Sequence, residues 1–96
     1  MKIKWTKNAK KSFDKTIEFL QEEWSINSAI KFVRKVNKFI DNVKTQPKIG
    51  RPEIVKTNLR SFVISRQITV FYRIKGNTIV LLNFFDTRQH PRKKLK

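Results

Sequence analysis

The chain has no cysteine, one histidine, two glycines and three prolines in 96 residues. Without cysteine, neither a disulfide frame nor a thiolate zinc site can form, a usage suited to the reducing cytoplasm, where the protein is expected to act. Gly50 and Gly76 stand alone, so there is no glycine-rich phosphate loop and no glycine-flanked serine of a hydrolase elbow. The single histidine, His90, lies four residues after Asp86 with no nucleophile motif to serve. Acidic residues are scarce, seven in all, and most fall in the first helical stretch, which argues against paired carboxylates holding Mg²⁺. No metal and no cofactor is expected. Nor does any apolar run approach the roughly 20 residues of a membrane-crossing helix. The opening MKIKWTKNAKKSF lacks the apolar core of a secretory signal, and no membrane partner is expected.

What the chain has in excess is positive charge. Twenty-three Lys and Arg against seven Asp and Glu give a formal +16. A surface so lopsided repels itself and calls for an anionic partner, beyond what solubility alone requires. Nucleic acid is the first candidate, an acidic protein the second and an anionic membrane surface the third.

The apolar pattern divides the chain into two kinds of structure. Lys2-Ile3-Lys4-Trp5 alternates as a short edge strand does. Thr6 stands as an N-cap before Ala9, Phe13, Ile17, Leu20 and Trp24, which recur on one helical face. Ser25 or Asn27 caps a second helix whose seam is Ala29, Val33, Val36, Ile40 and Val43, widened by Ile30, Phe32 and Phe39. So short a connection predicts an antiparallel helical hairpin. Pro47 ends the second helix, and a basic loop is expected from about 45 to 58. From Leu59 to Arg88 the period changes to two. Ile68, Val70, Tyr72 and Ile74 share one face, Thr69, Phe71 and Arg73 the other, and Lys75-Gly76-Asn77 turns into an apolar strand, Thr78 to Phe85. The order β-α-α-β-β-β predicts an α+β domain over residues 1–96, with the helical hairpin packed on one face of a small antiparallel sheet. The basic segment 91–96 is expected to be a mobile tail.

The open sheet face and the strand ends are then left for a ligand. The cations expected to meet nucleic acid are Lys48 and Arg51 in the loop, Arg60, Arg66 and Arg73 on the strands and their ends, and Arg92 in the tail. With no metal site, the phosphodiester chemistry within reach is cleavage of RNA, in which the 2′-hydroxyl is the nucleophile. The protein then supplies a base, an acid and cations for the charge building on the phosphate. Arg88, at the end of the last strand, is the candidate phosphate cation, and His90 the candidate proton carrier.

The ending FYRIKGNTIVLLNFFDTRQHP, the loop PKIGRP and the element order together resemble the RelE/ParE superfamily of bacterial toxins from type II toxin–antitoxin modules, over nearly the whole chain. The resemblance implies a toxin neutralised by a cognate acidic antitoxin. RelE-like members cut mRNA in the ribosomal A site, and ParE-like members inhibit DNA gyrase. Under the RelE-like pattern Arg60 falls where a strand lysine lies and Arg88 matches the strand-end arginine. Thr69 stands where an arginine is expected, and the C-terminal tyrosine is absent, with His90 as its substitute. The charge places ribosome-dependent mRNA cleavage first and these departures favour gyrase inhibition as the alternative; a basic RNA-binding module without activity is a third reading.

Overall fold

The computed structural model describes residues 1–89; His90, Arg92 and the rest of the basic tail lie outside the described residues. Strand β1 (Lys2–Trp5) leads into α1 (Lys7–Glu23) and α2 (Ile26–Thr45). Then come β2 (Arg51–Ile54), β3 (Leu59–Ser65), β4 (Ile68–Lys75) and β5 (Thr78–Asp86). Short 3-10 turns flank β2 and follow β5. The sheet has five strands in the order β1-β5-β4-β3-β2. It is an α+β fold with the helical hairpin on one sheet face, as the pattern predicts.

Two details differ from the sequence expectation. The loop expected over 45–58 contains β2, which pairs antiparallel with β3 through Arg51↔Ser61 and Pro52↔Arg60. Its four residues are all exposed, so no burial pattern announces it. The sheet is also mixed, because β1 runs parallel to β5. Hairpins reverse the chain at each step from β2 to β5, which leaves β5 pointing the same way as β1.

Local chemistry sets the helix ends. The Thr6 hydroxyl accepts from Ala9 N at 3.0 Å and donates to Leu81 O at 2.9 Å, so one side chain caps α1 and pins it to β5. Ser25 accepts from Ser28 N at 3.0 Å and starts α2 one residue beyond the C-cap of α1. Where β1 ends, the outer edge of β5 is closed by α1 instead of a strand: Phe84 N donates to the Ser12 hydroxyl at 2.9 Å.

The face of α2 that meets the sheet is Ala29, Phe32, Val36, Phe39 and Val43. Val33 and Ile40 are half-buried and Ile30 is 42% exposed, so the seam is rotated from the one the periodicity suggests. Beneath it lie Ile68, Val70 and Tyr72 of β4 and Ile79, Leu81 and Phe84 of β5. Trp5, Phe13, Phe32 and Phe84 make one cluster of rings at centroid spacings of 5.1–6.1 Å. Phe39, Phe62 and Tyr72 make another. Gly76, at φ +59, makes the β4–β5 turn in the left-handed region that glycine takes without cost.

Candidate functional site

Beyond β5 the chain turns through Thr87–Gln89, and Thr87 N donates to Gln67 O at 3.0 Å. That bond brings Arg88 beside the β3–β4 turn, which carries the exposed Arg66. The Arg88 side chain folds back over the helix side. Its Nε and Nη2 donate to the two oxygens of Asp86, each at 3.0 Å, and its backbone N–H donates to Asp86 Oδ1 at 2.9 Å. Asp86 has no exposed side-chain surface and Arg88 retains 23%. The guanidinium also lies over the rings of Phe19, at 5.5 Å, and Trp24, at 5.7 Å.

Arg88 closes one wall of a cleft of about 150 Å³ between the helical hairpin and the sheet end, shared with Lys31, Lys35, Ser65 and Gln67. Lys31 and Lys35 were not among the cations expected at the site. They stand one turn apart on α2, flanking the buried Phe32, and that i, i+4 spacing was the available signal.

The other expected cations do not converge here. Arg60 pairs with Tyr72 across β3 and β4, so it faces the helix side and not the open face. Its Nη1 donates to Gly50 O at 2.6 Å and Lys48 O at 3.3 Å. Tyr72 lies four residues along β4 from Ile68, the partner of Asp86, which separates Arg60 from Arg88 by about 14 Å of strand. Lys48 is exposed in the turn after α2, and Arg51 reaches Glu53 at 3.6 Å. Arg73 is the one that lies on the open face, with its Nε donating to Thr57 O at 2.9 Å. Among the described residues no group of His, Cys, Asp and Glu is placed to hold a metal. Nor, among the described residues, is any helix long and apolar enough to cross a membrane.

The backbone of the loop that carries Lys48 is held by a buried knot centred on Tyr72. Its hydroxyl accepts from Gly50 N at 2.9 Å and donates to Pro47 O at 2.7 Å. Burial pushes the phenol above the ordinary tyrosine value, against smaller opposite pulls from the Gly50 hydrogen bond and the Arg60 charge. The folded chain therefore keeps this proton longer than the unfolded chain does. The contribution is complete below about pH 10 and is lost as pH rises towards and through the folded value. Tyr72→Phe strands the Gly50 N–H and is expected to cost about 1–3 kcal/mol at neutral pH. Urea melts across pH 7–11, a range of about four units around that threshold, should show a shallower alkaline decline in the variant than in the parent.

The sequence matches the family model described as ParE toxin of type II toxin–antitoxin system, parDE, over residues 3–91. Solved structures share the fold. A chain of the chromosomal ParDE system of P. aeruginosa superposes with a TM-score of 0.67 at 24% identity, covering 90% of this chain and 95% of the other. A YoeB/ParE toxin from Agrobacterium tumefaciens gives 0.64 at 22%, with coverages of 90% and 98%. A chain of the heterotetrameric YoeB–YefM toxin–antitoxin complex from Staphylococcus aureus gives 0.59 at 19%, with coverages of 88% and 94%. No curated protein sequence matches the chain.

Proposed function

The chain belongs to the ParE toxin family of type II toxin–antitoxin systems, and from that premise we propose that it acts in the cytoplasm by binding and inhibiting DNA gyrase, not by cutting RNA. One observation carries this reading. The cation nearest to the expected catalytic position, Arg88, has its fork closed on the buried carboxylate of Asp86. A phosphate at that position would have to compete with a bidentate intramolecular partner. Arg60 is likewise turned to the backbone carbonyls of Lys48 and Gly50. The domain then works as a rigid basic body whose neutralising partner is an acidic antitoxin, captured in part through the +16 charge.

Ribosome-dependent mRNA cleavage is the second reading, favoured by the same charge and by the sequence proximity of Arg88 to His90. Two measurements separate them. Purified protein is titrated into a gyrase supercoiling assay, and mRNA from cells induced for the toxin alone is analysed by primer extension. Loss of supercoiling without new mRNA ends is the expected result. New ends at discrete codons with gyrase unimpaired would overturn it.

A further inference from the structure

The end of the sheet farthest from Arg88 joins Arg73, already among the expected cations, to three lysines that were not. Strand register places Arg73, Val80 and Lys4 side by side on the open face, with Lys75, Thr78 and Lys2 as the next row. Outer columns of two lysines on β1 and Arg73 with Lys75 on β4 thus flank a neutral column, Val80 and Thr78, on β5. With strands about 4.8 Å apart and alternate residues about 6.8 Å apart, the four cations stand at the corners of a rectangle of roughly 10 by 7 Å. Lys4, Arg73 and Lys75 border a concavity of about 500 Å³ whose floor includes Thr78 and Val80.

The charges in this corner are uncompensated. Among the described residues the ion pairs are Lys10–Asp14, Arg51–Glu53 and Arg88–Asp86, and none involves these four. The helices interleave their lysines with Asp14, Glu18, Glu22, Glu23 and Asp41, whereas the two rows of the corner hold no acid. Glu53 lies on β2, two strands away from β4, and is turned to the Ser61 hydroxyl, which donates to it at 2.6 Å. At a Debye length of about 8 Å the four cations are only partly screened from one another, so an anion that sits among them relieves repulsion as well as gaining attraction. Arg73 is already oriented: its Nε is held by Thr57 O, which leaves the two Nη groups for a ligand.

The geometry points to a phosphodiester-backbone binding site at Lys2, Lys4, Arg73 and Lys75, separate from the Arg88 cleft and independent of which target the toxin inhibits. A shallow strand face with cations in two parallel columns suits a backbone laid across it, and a neutral floor without base-reading amides or acids predicts binding without sequence preference. The source of the backbone is duplex DNA or RNA, and the two are told apart by the ligand used.

The test is fluorescence anisotropy with a labelled duplex DNA and a single-stranded RNA of the same sequence, from 50 to about 200 mM salt. The triple variant Lys4→Gln, Arg73→Gln, Lys75→Gln should bind at least about tenfold more weakly, with a salt slope shallower by about 3. The double variant Lys4→Gln, Lys75→Gln keeps the Arg73–Thr57 bond and should lose about 2 of slope, which guards against a fold defect in the triple. A control triple on the helices, Lys11→Gln, Lys15→Gln, Lys38→Gln, removes the same charge and should weaken binding less than about threefold. Corner-dependent binding of either nucleic acid supports the site, and the tighter one names its source. Equal losses in the corner and helix triples, or no binding of either probe near physiological salt, would overturn it. A toxin that leaves supercoiling untouched yet binds through this corner would sink the gyrase reading and leave the site standing.

Discussion

Arg88→Ala should destabilise the fold by about 3–5 kcal/mol, towards the lower end because part of the guanidinium is already in water. The removed side chain neutralises Asp86, whose carboxylate is fully buried and receives two guanidinium bonds and one backbone bond. Taking away Asp86 is less damaging, since the arginine left behind is 23% exposed and can turn to solvent. The two losses should not add. In the double variant Asp86→Asn, Arg88→Ala no carboxylate is stranded, so urea melts should place it above Arg88→Ala alone. A double variant less stable than Arg88→Ala would show that the pair is not what holds this end together. The practical consequence is that lost growth arrest in Arg88→Ala has to be read beside its melting curve.

Gly50→Ala is expected to be as severe, costing about 3 kcal/mol or more. The reason is space and not backbone freedom, because Gly50 has φ −79° and ψ 162°, which any residue adopts. A methyl group there would stand 2.7 Å from Ser61 O, 2.7 Å from the Tyr72 hydroxyl and 2.8 Å from its ring. One of these neighbours is backbone and cannot give way cheaply. Relief would have to come from moving the chain off Tyr72, which breaks the knot that fixes Pro47, Lys48 and Gly50. Gly76→Asn is the matched control: nothing lies within 4 Å of a Cβ there, and asparagine tolerates the left-handed φ, so a loss under about 1 kcal/mol is expected. Thermal melts of the two variants side by side would decide it, and equal midpoints would rule out the crowding account.

The hairpin of helices and the meander were legible because their signals are local. Alternation along β4 sorted Ile68, Val70 and Tyr72 to the buried face, and Thr6, Ser25 and Pro47 marked helix boundaries by their own hydrogen-bonding chemistry. The rotation of α2 was not legible, since a wide apolar stripe shows that a helix is buried but not about which line. Phe32 and Phe39 win the centre because the rings of Phe13, Phe84, Phe62 and Tyr72 wait opposite them. The inward aim of Arg60 depends on register against Tyr72, and register is a property of two strands, not of one. The corner of Lys2, Lys4, Arg73 and Lys75 was hidden for the same reason: its members are about 70 residues apart in sequence and meet only through the parallel pairing of β1 with β5.

That parallel pairing also bears on how the chain comes into being. The first strand has no neighbour until the last one exists, and the Thr6 hydroxyl finds Leu81 O only across a separation of 75 residues. Closing so long a span is among the slow steps of folding, paid in chain entropy before any contact repays it. During synthesis, which runs from the first residue to the last, the helical hairpin emerges with its apolar face uncovered and waits for β4 and β5. The nascent chain is therefore a sticky, incomplete object through most of its translation. The finished surface, with both its Arg88 cleft and its lysine corner, forms only as the final strand leaves the ribosome.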